Sequence, residues 1–149
     1  FVFCCGGGGM SAGGALILER LSPKTAIILA EPEGFDDAAR SLASGRIERA
    51  DIARKTLCDA LATPALSAMT FSVLSRRGAK AFAVSDAAVE AAMRFAFRDL
   101  KLVLEPGGAA ALAGVLAGKV EARGRTIAIT LSGGNVDPAL YARVLSGVD

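Results

Sequence analysis

The sequence predicts an α/β fold, a mainly parallel open sheet flanked by helices, and three observations carry that expectation. Runs of strand length alternate with helix-periodic stretches along the chain. Two of the runs, Lys24–Ala30 (KTAIILA) and Arg125–Leu131 (RTIAITL), are dominated by apolar residues, as in strands covered on both faces. Glycine-rich turns follow the first strand and the last. Strands joined through helices require right-handed crossovers and therefore pair in parallel.

The elements follow in order. Phe1–Cys5 reads as a strand already under way, which predicts that Phe1 lies inside a longer parent. After Gly6-Gly7-Gly8-Gly9 a helix is expected from Met10 to Leu21, then the strand Lys24–Ala30 and a short helix from Asp36 to Ser44. Residues 46–61 read as irregular. Thr63-Pro64 has the cap and first-turn signature of a helix running to Arg77 and stopped by Gly78. Lys80–Val84 is a short strand, and Ser85 caps a helix over Asp86–Asp99. Lys101–Leu104 fits strand or helix. An Ala/Leu helix from Gly107 ends near Gly118, the strand Arg125–Leu131 follows, and Asp137-Pro138 opens a last helix to Leu145.

The 149 residues suffice for one domain with a core, and the expectation is a single, incomplete α/β domain over 1–149. Hydrophobic residues make up 52% and charged residues 21%, which excludes a disordered chain. A net charge of +2, spread along the sequence, argues against a nucleic-acid partner. No apolar run approaches the roughly 20 residues that span a bilayer, so no membrane partner is expected. The absence of histidine removes Ser-His-Asp and Cys-His catalysis and His-ligated zinc. Cys4, Cys5 and Cys58 form no CxxC pair and read as buried free thiols, which fits a reducing cytoplasm.

Ligands of doubly wound sheets bind beyond the carboxyl ends of the strands, and both glycine-rich turns, Gly6–Gly9 and Ser132–Asn135, fall there. Four consecutive glycines before a helix present bare backbone N–H groups and a partial positive charge, which suits a phosphate. The alternative is a flexible turn or tight strand–helix packing. The pattern is neither a Walker loop nor GxGxxG. Ser132 reads as a polar turn residue or as a ligand-binding hydroxyl. Glu31, Asp36 and Asp37 place three carboxylates within seven residues. They form either an acidic loop with Asp36 capping a helix or, with a backbone carbonyl, a site for a hard cation such as Mg²⁺ or Ca²⁺.

Taken together, Gly6-Gly7-Gly8-Gly9-Met10, Glu31-Pro32, Leu104-Glu105-Pro106-Gly107-Gly108-Ala109 and Leu131-Ser132-Gly133-Gly134-Asn135-Val136-Asp137 resemble the fold-type II pyridoxal-phosphate enzymes. Within these, the sequence is similar to the serine/threonine dehydratase and serine racemase group, in the family's motif order and over essentially the whole chain. The resemblance implies most of the large domain of a tryptophan synthase β-like fold, corresponding to the C-terminal half of such an enzyme. It implies that Gly6, Gly7, Gly8, Gly9 and the amide of Met10 hold the cofactor phosphate. Ser132 would hydrogen-bond the pyridine nitrogen, and Glu105 would lie near the cofactor ring, unless it is a helix-start carboxylate. It further implies a cation site at Glu31, the carbonyl of Phe35 and Asp37, a small amino-acid substrate, and a homodimer.

Two departures bear on function. The family's cofactor-binding lysine stands in a Ser-x-Lys-x-Arg-Gly-like context, and none of Lys24, Lys55, Lys80, Lys101 and Lys119 has it, so no catalytic residue is assigned within this chain. Asp59-Ala60 stands where the family commonly has Asp-Gly, which places a methyl near the ring. The leading expectation is a parent enzyme that dehydrates and deaminates serine or threonine to a 2-oxo acid, with this chain alone inactive. Racemisation of serine or aspartate is the close rival, since both begin with loss of the α-proton. The further alternatives are a non-catalytic phosphate-binding module and a purely structural α/β fragment.

Overall fold

The computed structural model describes residues 1–147. Among them three strands, β1 (Val2–Cys4), β2 (Ile28–Pro32) and β3 (Lys80–Val84), form a parallel sheet in the order β1-β2-β3. The register places Val2 opposite Ile28 and Ile28 opposite Lys80. Six α-helices accompany these strands among the described residues: α1 (Gly9–Leu21), α2 (Asp37–Ser44), α3 (Ala68–Arg76), α4 (Asp86–Phe95), α5 (Pro106–Leu116) and α6 (Pro138–Ser146).

Alternation along the strands divides two apolar cores. Val2, Cys4 and Ala30 point to the α4–α5 side, where they meet Val89, Met93, Ala109 and Leu112. Phe3, Cys5, Ile27 and Leu29 point to the other side, against Ala12, Ala15, Ala38 and Leu74. Both faces are therefore covered by helices, which is why the strands read as apolar runs and not as polar–apolar alternation. Small residues let the helices approach closely. A Cβ at Gly114 of α5 would come within 2.0 Å of the Phe82 ring, and one at Gly14 of α1 within 2.3 Å of the Phe3 ring. Gly114→Ala is accordingly expected to cost about 1–3 kcal/mol in urea unfolding, as overpacking does; an unchanged midpoint would place α5 farther from β3.

The fold departs from the sequence reading at five places. The strand expected over Arg125–Leu131 forms only one parallel bridge, Val2 with Ile129. The Val2 N–H donates to Ala128 O (2.8 Å), the Thr130 N–H to Val2 O (3.0 Å), and the Cys4 N–H to the Thr130 hydroxyl (3.0 Å). A side chain thus takes the place of the next ladder bond. β2 begins at Ile28, because the parallel partners Phe1 and Lys80 start there (Ile28 N–H to Phe1 O, Lys80 N–H to Ile27 O). α3 begins after Ser67, whose hydroxyl accepts from the Thr70 N–H, and not at Thr63-Pro64. The Pro64 carbonyl accepts from the Ala50 N–H, so residues near it remain extended to carry Leu66 into the core. α4 ends at Phe95 and passes into a π-type turn over Ala96–Leu100, closed by Lys101 in the left-handed region (φ 60°). Lys101–Leu104 is neither strand nor helix.

Because β1, β2, β3 and the Ile129 segment all run the same way, Gly6, Glu33, Ser85 and Ser132 leave the sheet at one edge. The expected ligand residues are collected there by topology.

Candidate functional site

The tetraglycine loop divides into two kinds of position. A Cβ at Gly6 would lie 3.2 Å from the Leu61 Cα and from the Thr63 methyl. Gly8 has φ +82°, caps α1, and a Cβ there would lie 2.8 Å from Leu66 Cδ2. The backbone and packing require glycine at position 8, and packing leaves only a tight fit for a side chain at position 6. At Gly7 and Gly9 an added Cβ meets nothing within 4 Å, so the fold itself gives no reason for glycine there. Bare backbone at those two positions leaves room for something outside the fold. Thr70 steadies the loop by donating its hydroxyl to Gly7 O (3.0 Å).

α1 starts without a side-chain cap and without an acidic residue in its first turn. Gly9 and Met10, the first residues of the helix, are exposed. First-turn N–H groups have no partner within their helix, so an anion placed beyond Gly7 and Gly9 would satisfy them and meet the positive end of the helix dipole. The residues thus fit a phosphate.

The second glycine loop locks against the start of α5. The Glu105 N–H donates to Gly133 O (3.1 Å), and Gly133 has φ +83° with an added Cβ placed 2.4 Å from the Glu105 carboxyl carbon. A Cβ at Gly108 would overlap the Ser132 carbonyl oxygen at 1.7 Å. Ser132, Gly108 and Glu105 are therefore one interlocked unit. Cys4 joins it from β1: its thiol bonds to Gly108 O at 3.6 Å and lies against the Ser132 hydroxyl. The short turn Asp59–Leu61 bridges the two loops. A Cβ at Gly107 would lie 3.3 Å from the Ala60 methyl, and one at Gly6 3.3 Å from Ala60 O. Ala60 is exposed beside Gly107.

The acidic loop is separate from this cleft. Glu31 is fully buried, and its carboxylate accepts from the N–H groups of Ala38 (2.8 Å) and Ala39 (2.9 Å) in the first turn of α2. Asp36, the residue expected to cap α2, makes no side-chain cap bond and instead pairs with Arg40 at 3.2 Å; Glu31 does the capping. Asp37 is also buried, and its Oδ2 has no hydrogen-bond partner. Burial pushes the Glu31 carboxyl up to about 8, with the Asp37 and Asp36 charges adding to it and the two α2 amides opposing. Burial likewise raises Asp37 to about 6. Among the described residues no three metal-ligating side chains converge, so of the expected set only the Glu31 and Asp37 carboxylates supply side-chain oxygen, beside the Phe35 backbone.

The cysteines are free and buried. Burial pushes the Cys5 and Cys58 thiols up to about 12 and raises Cys4 as well, so none is a nucleophile at neutral pH. A cleft of about 370 Å³ lined by Phe1, Lys24, Thr25 and Arg125 opens at the opposite, amino edge of the sheet and holds none of the expected residues. Among the described residues no helix is long and apolar enough to cross a membrane.

Residues 1–133 match the family described as pyridoxal-phosphate dependent enzymes. The chain belongs to that family. Among the relatives of this pyridoxal-phosphate enzyme chain is a β-hydroxyaspartate dehydratase of Paracoccus denitrificans, 39% identical over 89% of the chain and 41% of the relative. An L-threo-3-hydroxyaspartate ammonia-lyase of Saccharomyces cerevisiae is 37% identical over 95% of the chain and 43% of the relative. Among solved structures, a threonine deaminase from T.th. superposes with a TM-score of 0.84 at 43% identity, covering 91% of the chain and 50% of that protein. Maize serine racemase gives 0.86 at 33% identity, covering 95% and 45%. The chain thus spans less than half the length of these curated relatives. The expected C-terminal placement is not borne out by these matches.

Sequence reasoning missed Thr56, Thr130 and Asp86, whose bonds shape this edge of the sheet. Each is an ordinary polar residue in sequence, and its partner lies far along the chain, so no local signal marks it.

Proposed function

We propose that the protein of which this chain is part eliminates water from a 3-hydroxy amino acid, serine or threonine, and that the imine so formed takes up water and releases ammonia, giving a 2-oxo acid. The observation that carries the reading is the pair Gly7 and Gly9, glycines the fold does not need, at the uncapped start of α1. Gly6–Gly9 and the Met10 amide would hold the phosphate of pyridoxal phosphate; Ser132 would bind the ring nitrogen, and Glu105 would lie beside the ring. Bound there, the cofactor acidifies the α-carbon of an amino acid by accepting its electrons. Ser132 tunes that acidity: a hydroxyl does not protonate the ring nitrogen as a carboxylate would, which favours rapid loss of a β-hydroxyl over a long-lived charge. The proton-transferring lysine is assigned outside these 149 residues, so the chain alone is expected to be inactive on serine and threonine.

Racemisation is the second reading, favoured by the similarity to maize serine racemase. The buried, unpartnered Asp37 Oδ2 supports a Mg²⁺ or Ca²⁺ ion held by Asp37, Glu31 and the Phe35 carbonyl. Three buried free thiols support a reducing, cytoplasmic setting, and association as a dimer is proposed by likeness to the family.

Titration with pyridoxal phosphate, followed by calorimetry and the visible spectrum, tests the cradle. The unaltered chain is expected to bind without an imine band. Gly7→Asp, which meets open space and so leaves the thermal midpoint unchanged, is expected to weaken binding at least tenfold through charge repulsion. Equal affinity in the two proteins would refute the phosphate assignment, and an imine band would place a reactive lysine within the chain.

A further inference from the structure

We propose that Asp86 and Thr56 are positioning residues that set the wall of the cofactor cleft, an inference that rests on the reading above. Asp86 is the first residue of α4, yet its carboxylate does not serve its own helix, which Ser85 caps through the Ala88 N–H (3.3 Å). Instead, one carboxylate oxygen accepts the Thr56 hydroxyl at 2.7 Å and the other accepts the Leu57 N–H at 3.0 Å. The Thr56 oxygen in turn accepts the Cys58 N–H at 3.1 Å. Two bonds thus fasten Thr56 and Leu57 to Asp86, just beyond the carboxyl end of β3, across 29–30 residues of sequence, and the third ties Cys58 back to Thr56.

The cleft wall begins directly after the fastened residues. Cys58 is fully buried, and the Asp59–Leu61 turn then carries Ala60 and Leu61 between Gly6 and Gly107. The turn lies close to both glycines: a Cβ added at Gly6 would lie 3.3 Å from the Ala60 carbonyl oxygen, and one added at Gly107 3.3 Å from the Ala60 methyl. A shift of the 56–58 segment moves the Ala60 methyl and carbonyl directly toward or away from the phosphate loop on one side and α5 on the other. Residues 51–55, immediately upstream, are exposed, and contribute no comparable anchor. The rival account is that burial of Cys58 and Leu61 holds the wall by itself, with the hydroxyl and carboxylate merely satisfied.

Thr56→Val keeps the shape of the side chain and removes the hydroxyl; Thr56→Ser keeps the hydroxyl. Amide hydrogen exchange and pyridoxal-phosphate affinity are measured on the full chain for both variants. In the Val variant, exchange at Leu57 and Cys58 is expected to accelerate about tenfold or more, with Leu29 and Ala30 of β2 unchanged. Its affinity for pyridoxal phosphate is expected to fall about tenfold, and the Ser variant to restore both readouts to within about threefold. Unchanged exchange in the Val variant would mean that burial alone holds the wall. Faster exchange at unchanged affinity would mean that the wall does not set the cleft. Either result overturns the proposal while leaving the cofactor reading intact. Absence of binding by the unaltered chain would instead overturn the cofactor reading and this role with it.

Discussion

Replacing Gly108 with alanine is expected to destabilise the protein by about 3 kcal/mol and to abolish pyridoxal-phosphate binding, whereas Gly107→Ala changes stability by less than about 1 kcal/mol. The two residues are adjacent in the first turn of α5, so helix propensity favours alanine equally at both. Their surroundings differ. A methyl at 108 would sit 1.7 Å from the Ser132 carbonyl oxygen and 2.7 Å from its carbonyl carbon, both backbone atoms that cannot swing aside. Loop 132–133 would have to move, breaking the Glu105 N–H to Gly133 O bond and displacing Ser132 from Cys4. A methyl at 107 meets only the side chains of Ala60 and Leu61 at 3.3 Å, which yield by a few tenths of an ångström. Urea denaturation of the two variants, paired with cofactor titration, makes the comparison. Equal stability of both would show that the Ser132 loop does not rest on α5.

In chelator-treated protein, stability is expected to fall as pH rises from about 4 to about 8, the reverse of the usual behaviour of paired carboxylates. Folding raises Glu31 from 4.5 to about 8 and Asp37 from 3.8 to about 6, in both cases chiefly by burial. The folded state therefore holds protons that the unfolded state has released, and each group's contribution is fully present below its unfolded value and lost as pH passes the folded value. The slope reaches about 1.4 kcal/mol per pH unit for each group within its window. Thermal midpoints at pH 5 and pH 8 measure it. Glu31→Gln should remove most of the slope above pH 6. Millimolar Mg²⁺ or Ca²⁺, by neutralising the ionised pair, should raise the midpoint at pH 8 and leave pH 5 nearly unchanged, and Asp37→Asn should abolish that rise. A midpoint flat from pH 5 to 8 without metal would contradict the burial of Glu31; no response to either cation would remove the proposed ion.

Local chemistry in the sequence was enough for the strand Lys80–Val84, for the ends of α1 and α2 at Leu21 and Ser44, and for the Ser85 and Asp137 caps. These features depend on apolar periodicity and on side chains bonding three residues ahead, both visible in a short window. The position of the glycine loops beyond the strands, and with it the candidate cradle, was also legible, because parallel topology follows from alternation of strand and helix. Where a long-range partner competes for a backbone group, the sequence was silent. Ala50 takes the Pro64 carbonyl and delays α3 to Ser67, and the Thr130 hydroxyl replaces a ladder bond beside β1. Only the tertiary structure separates Gly8, which the backbone and packing demand, and Gly6, where a side chain would be tightly packed, from Gly7 and Gly9, where it would meet open space. It alone turns Glu31 into a buried cap for α2 and joins Asp86 to Thr56. The physical reason is common to all of these: a buried polar group must find a partner, and which partner is within reach is decided by packing across the sheet and not by neighbours along the chain.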